Sequence, residues 1–328
     1  MSMSAVSTCS GRTSRFSRRC LLRLILSLLI VAAVREATLS EAAALSPYKY
    51  VTLTNPARTE VRDLKDKWLA TFTNGCRTVT LSGPTRTFAE SVNTTATVTH
   101  TVWVRTLGVP FQSPVNETWL TAALADRTPD VLQLGMQYIV GAPALYNGSL
   151  KIAGDADYGP LQPDGTRQEG SDFNDYLGVS WNYGTTTDSP EATQINCLDC
   201  SGFVRMVFGY RCGVPMILTP DGVNLPRRSF EMYASAPGLV TIPNTGVQVT
   251  NFAPLSVGDL LFFDASTDDG TQIDHVGIFL GVDSAGKHRF ISSRKTANGP
   301  TLGDTGGAST LNGSTGYYAK AFRATRRL

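Results

Sequence analysis

The sequence predicts an α+β protein, and three observations carry that expectation. A helical apolar stripe (Phe203, Val204, Val207, Phe208) begins just after Cys200. Short apolar runs at Leu260–Asp264, His275–Gly281 and Arg289–Ser292 have the pattern of strands. Asp283-Ser284-Ala285-Gly286 reads as a turn joining the last two, which makes that pair antiparallel.

In chain order, residues 1–44 read as a secretory signal. Residues 1–19 are rich in Ser and Arg and lack acids, Leu21–Val34 is apolar apart from Arg23 and Ser27, and Ala42-Ala43-Ala44 offers a cleavage site. Arg18-Arg19 loosely fits a twin-arginine signal. The apolar run falls short of the ~20 residues of a comfortable span, so membrane attachment is expected only through an uncleaved anchor. The mature protein is expected to be secreted, extracellular or wall-associated. Without residues 1–44, which hold six arginines against Glu36 and Glu41, the net charge of +2 becomes −2. That excludes a basic nucleic-acid binder.

Residues 45–168 read as an N-terminal region of mixed α and β character and unknown function. A short helix is expected over Arg62–Phe72. A strand is expected within Asn93–Leu107, with Val98, His100, Val102 and Val104 on one face. Helices follow at Glu117–Ala125 and Pro129–Val140, the second capped near Asp126 or Thr128. Residues 141–172 look like loop or linker. In the second region, 169–328, Asp199 can cap the Cys200 helix, and Gly209 and Gly213 are expected to end it. Residues 213–256 show little periodicity.

Cleavage would leave Cys76, Cys197, Cys200 and Cys212, too few for a disulfide scaffold. With Cys200 set aside, at most one bridge is possible. It is expected to use Cys76, because a helix of ~10 residues at ~1.5 Å each separates Cys197 from Cys212. Cys197-Leu198-Asp199-Cys200 has C-x-x-C spacing, but no second pair supports a zinc or redox site. Cys200 alone reads equally well as a small buried hydrophobe. At a helix N-terminus, however, backbone N–H groups stabilise a thiolate, and a nearby imidazolium would depress the thiol pKa further. His275 is the natural partner, since it opens a strand on the side opposite Val276, Ile278 and Leu280. Of the chain's three histidines, His100 reads as structural and His288 as an exposed residue after a turn. Asp264, Asp268, Asp269 and Asp274 read as a solvated acidic loop rather than a cation site. No metal and no organic cofactor is expected.

Asp199-Cys200-Ser201-Gly202-Phe203-Val204, Gly258-Asp259-Leu260-Leu261-Phe262-Phe263 and His275-Val276-Gly277-Ile278-Phe279-Leu280-Gly281, in that order, resemble the three core motifs of NlpC-type cell-wall peptidases. These are papain-like bacterial cysteine hydrolases, and the resemblance covers roughly residues 175–300. The preceding region resembles the leader region of secreted actinobacterial members. The resemblance implies a papain-like core, with the nucleophile at a helix N-terminus packed on an antiparallel sheet. It implies a secreted endopeptidase cleaving peptidoglycan stem peptides at a D-glutamyl–diamino acid amide bond, through a thioester. Cys200 would be the nucleophile, His275 the general base and acid, and the Cys200 N–H part of an oxyanion hole. Asp199 and Ser201 would meet the substrate's amino end, although Asp199 reads equally well as a helix cap. Trp181 and Tyr183 would line the site. The third polar position, commonly His in the family, falls on Ser292, with Ser293 or His288 as alternative orienters. Residues 213–256 look like an insertion able to reshape the groove. This keeps open an amidase or acyltransferase, and the uncharged serine at the third position keeps open a non-catalytic wall-binding protein.

Overall fold

Antiparallel pairing of successive strands builds the first sheet. Strands β1 (Tyr48–Leu53), β2 (Arg58–Asp63), β3 (Trp68–Thr73), β4 (Thr78–Phe88) and β5 (Val98–Thr106) form an antiparallel meander in sequence order. Val61, Ala70, Phe72, Val79, Leu81 and Trp103 turn to one face, which α1 (Glu117–Ala125) covers through Leu120. The computed structural model describes residues 46–313 and 315–328; the expected signal segment lies outside them.

Helix α2 (Val131–Met136), the hairpin β6 (Leu145–Asn147) and β7 (Leu150–Ala153), and α3 (Phe173–Leu177) lead toward the second sheet. A small β8–β9 pair (Trp181–Asn182, Thr187–Asp188) precedes α4 (Cys200–Val204), which continues as a π-helical segment, Arg205–Arg211. Then come α5 (Ser229–Ser235), β10 (Leu239–Ile242), β11 (Leu260–Phe263), β12 (His275–Val282), β13 (His288–Arg294), β14 (Gly299–Thr301), α6 (Tyr317–Ala321) and β15 (Phe322–Arg327). The larger sheet is antiparallel with order β10-β15-β11-β12-β13-β14. Its central strands are buried on both faces: Leu260, Phe262, Val276 and Ile278 meet α4 residues Phe203 and Val204, while Leu261, Phe263 and Phe290 meet Tyr318 and Phe322. The α+β expectation holds, and all three downstream strands lie where the apolar runs put them.

Several local expectations are corrected. Arg62–Phe72 is the β2–β3 turn and strand, not a helix. The Asp63 carboxylate accepts from Lys65 N and Lys67 N and closes the turn, and Asp66 takes φ +65°. The second helix is shorter than Pro129–Val140. Its cap is Asp130, which accepts from Gln133 N, and not Asp126 or Thr128. Residues 141–172 are no linker: they hold the β6–β7 hairpin and bury Ala153, Ala156, Tyr158 and Ser171. The segment 213–256 contains α5 and β10. Gly209 lies within the helical run and does not end it; Gly213, at φ +74°, follows its end. All four described cysteines are free, and Cys76, the expected bridge former, is buried with its thiol donating to the Arg327 carbonyl.

Tyr48–Leu328 form one unit, and the expected boundary at 168/169 lies within it. The first sheet holds the end of β15 there. Arg77 N and Thr78 N donate to the Leu328 carbonyl at 2.8 and 2.7 Å, and Arg327, ion-paired with buried Asp259 at 2.8 Å, also donates to Thr73 Oγ1. A chain beginning at residue 169 takes these partners from the buried Leu328 carbonyl and from one Arg327 N–H. We expect it to unfold in urea with a shallower, earlier transition than a chain from residue 46. An equally steep and late transition would show that the larger sheet stands alone.

Candidate active site

Asp199 is the N-cap of α4, with its carboxylate accepting from Gly202 N at 2.7 Å. Both of its oxygens also meet Arg227 (2.8 and 3.2 Å), and Ser201 Oγ donates to Asp199 while accepting from the same guanidinium at 2.6 Å. Burial opposes ionisation of Asp199, but Arg227 and these hydrogen bonds hold its pKa below the usual carboxylate range. This buried ion pair fixes the start of the helix, so Cys200 is its first residue. Gly202 is required by close approach: a Cβ there would collide with the Ser171 carbonyl oxygen. Gly202→Ala is expected to cost ~1–3 kcal/mol by overpacking and to shift Cys200, checked by urea unfolding together with thiol accessibility. Unchanged stability would mean that the 171–172 backbone yields freely.

The Cys200 thiol is nearly buried and donates to the Asp274 carbonyl at 3.9 Å, one residue before His275. Burial drives its pKa well above the ordinary thiol range, and the Asp199 carboxylate pushes the same way. His275 opens β12, against which α4 packs, and its Nε2 lies 3.0 Å from Ser292 Oγ on β13. Burial lowers the His275 pKa to about 3, Arg294 pushes it the same way, and Asp199 opposes them. Burial thus works against charge on both groups, against a thiolate at Cys200 and against an imidazolium at His275.

Two cavities meet here. One of about 200 Å³ is lined by Cys200, Asp199, Ser201 and Phe230; the other, about 550 Å³, by His275, Arg294 and Tyr318. Tyr158, Glu169 and Asp274 line both, so the thiol side and the imidazole side share three walls. Trp181 and Tyr183 line neither. Trp181 packs on Phe173 and Tyr210, and the Tyr183 hydroxyl accepts from buried Arg205. Ser293 donates to the Leu198 carbonyl, and His288 stacks between Phe252 and Phe279, so of the three orienter candidates only Ser292 reaches His275. His100 is structural, with Nε2 on the Leu280 carbonyl. Asp264, Asp269 and Asp274 approach one another, but Asp274 braces Ala265 N and Ser266 N, and Asp264 pairs with Arg323.

Residues 178–326 match the model of the NlpC/P60 family. The matched NlpC/P60 segment contains Cys200, His275 and Ser292, and it extends the resemblance read from the three motifs to β15. Tyr158, Glu169 and α3 lie before it. Among solved structures, the chain is similar to a Staphylococcus aureus protein described as similar to lipoprotein, NLP/P60 family. The identity is 22%, over 48% of this chain and 39% of that one, with a TM-score of 0.25. It is also similar to a Bacillus cereus NlpC/P60 family protein, at 12% identity over 85% and 78% of the two chains, with a TM-score of 0.29. The chain thus spans about two-fifths of the length of the first of these relatives, and at such scores neither superposition carries weight. No curated protein matches the chain.

Four site residues escaped the sequence reading: Tyr158, Glu169, Arg227 and Arg294. Tyr158 and Glu169 sit in the stretch read as linker, and Arg227 in an aperiodic stretch. Arg294 was legible, since it lies two residues beyond Ser292 on one strand and so shares its face.

Proposed function

We propose that this protein is a secreted cysteine endopeptidase with a papain-like core, cleaving peptidoglycan stem peptides at a D-glutamyl–diamino acid amide bond. The observation that carries this reading is Cys200 at the first turn of a helix packed on the strand that His275 opens, within the NlpC/P60 segment. From a neutral pair, the thiol proton passes to the imidazole as sulfur attacks the amide carbon. The Cys200 N–H at the helix start stabilises the oxyanion. The C–N bond then breaks, the departing amine takes the proton from His275, and water activated by His275 hydrolyses the thioester. Glu169, Asp269 and Asp274 against Arg228 and Lys295 line the two cavities with both signs of charge, which suits a peptide bearing ammonium and carboxylate groups. Asp199 and Ser201 support the helix rather than offer free groups to substrate. Residues 1–44 would direct export.

Mature protein and Cys200→Ala are to be incubated with purified peptidoglycan and the products read by mass. New D-glutamyl-terminated fragments from the wild type alone are expected. No products from either folded protein would overturn the endopeptidase reading. The thiol's bond to the Asp274 carbonyl and its raised pKa favour a second reading, a non-catalytic wall binder. That reading predicts retention on peptidoglycan without products.

A further inference from the structure

Arg294 is a buried cation on β13, 2% exposed. Its five hydrogen bonds all go to neutral oxygens: Ser292 Oγ at 3.2 Å, the carbonyls of Gly303, Thr305 and Gly307, and Ser309 Oγ. Burial lowers its pKa only to about 10, so its charge persists at neutral pH. Among the described residues, the fully buried Ser292 hydroxyl has two hydrogen-bonding partners, Arg294 Nε and His275 Nε2. The arginine N–H can only donate. The serine proton therefore has one acceptor within reach, the imidazole Nε2.

We propose that Arg294 is a positioning residue that acts through Ser292. Its guanidinium occupies a lone pair of the Ser292 hydroxyl, the hydroxyl donates to Nε2, and His275 is held as the neutral tautomer with its proton on Nδ1. The opposite arrangement would aim two N–H donors at Ser292 and strand its own proton in a dry site. Both ring nitrogens are thereby occupied at rest, and His275 becomes a base only when the Ser292 hydroxyl gives up Nε2. This inference rests on reading His275 as the acid–base group.

Across the cavity that His275 lines, Glu169 and Lys295 pair with each other at 2.6 Å, and Tyr158 and Tyr317 add only phenol groups. The charged and titratable groups packed on the ring fit this assignment. From the α4 side come the Asp199 carboxylate, which favours the imidazolium but is neutralised by Arg227, and the un-ionised Cys200 thiol. From β13 comes Arg294, which opposes the imidazolium. From α6 comes Tyr318, its ring 5.1 Å away and its hydroxyl un-ionised, with a pKa raised to about 12. β11 offers only the apolar ring of Phe263. The Asp274 carboxylate, one residue before the ring's own strand, is tied to Ala265 N and Ser266 N.

The chain has only three histidines, so long-range imidazole 1H–15N spectra across a pH titration can resolve each ring. In the wild type the His275 proton is expected on Nδ1, with no protonation in the mildly acidic range where a free histidine titrates. Arg294→Lys should keep the ring neutral. Arg294→Met should raise its pKa by ~1 unit or more. Ser292→Ala, which removes the donor and keeps the charge, should release the proton toward Nε2. The inference is overturned by a wild-type proton on Nε2, by titration near ~6.5, or by an unmoved pKa in folded Arg294→Met. Should that variant not fold, an unchanged tautomer in Ser292→Ala overturns it. These spectra need no substrate. A protein that hydrolyses nothing can still show the tautomer, and an active one can still lack it, so failure here is separate from failure of the hydrolase reading.

Discussion

Cys200→Ala is expected to remove peptidoglycan hydrolysis entirely, a fall on the order of 10⁴-fold or more, because no other group at the site can form the thioester. The fold should survive. The thiol makes one long hydrogen bond, to the Asp274 carbonyl, and contributes little to the cap network of Asp199, Ser201 and Arg227. Stability should change by no more than ~1 kcal/mol, read by urea unfolding on the protein used in the assay. Full activity in the variant would end the cysteine-hydrolase reading. Loss of activity with loss of folding would not support it, and Cys200→Ser then serves as the smaller change.

Arg205→Met should have the largest effect on stability, a loss of ~3–5 kcal/mol, because it leaves a buried carboxylate short of its partner. Arg205 is fully buried, and its Nε meets both Asp172 oxygens at 3.0 and 2.9 Å. Asp172 caps α3 and keeps only a weaker approach from Arg227, 3.5 Å away. The same guanidinium donates to the Ile217 and Leu225 carbonyls and to the Tyr183 hydroxyl, which ties the 213–228 stretch to the helix. Tyr183→Phe removes one of these bonds to the buried guanidinium and should cost less, ~1.5–3 kcal/mol. Equal midpoints for wild type and Arg205→Met in urea would show that the network is dispensable.

That network shows why part of the site was hidden in the sequence. Tyr183 was expected to line the site from its place in an aromatic, glycine-bearing stretch, yet its hydroxyl is taken by Arg205. Asp199 was open between substrate contact and helix cap, and a partner 28 residues away uses both of its oxygens. Neither partnership leaves a periodic trace, because arginine 205 sits on a helical face and arginine 227 in an aperiodic loop. The Arg62–Phe72 segment failed differently. A carboxylate closing a turn on two backbone N–H groups outweighed a weak helical pattern.

Features that depend on neighbours along the chain are legible without a structure. These are the capped helix that opens at Cys200, the strand that opens at His275, and the antiparallel pair joined by the 283–286 turn. Helical and strand periods and local caps act over a few residues, so they can be read directly. Packing alone settles which of Ser292, Ser293 and His288 meets His275, that Tyr158 and Glu169 wall both cavities, and that burial disfavours charge on both thiol and imidazole. Those outcomes follow from burial and from charges brought together across long separations, and neither quantity exists until the sheet and the helix have packed.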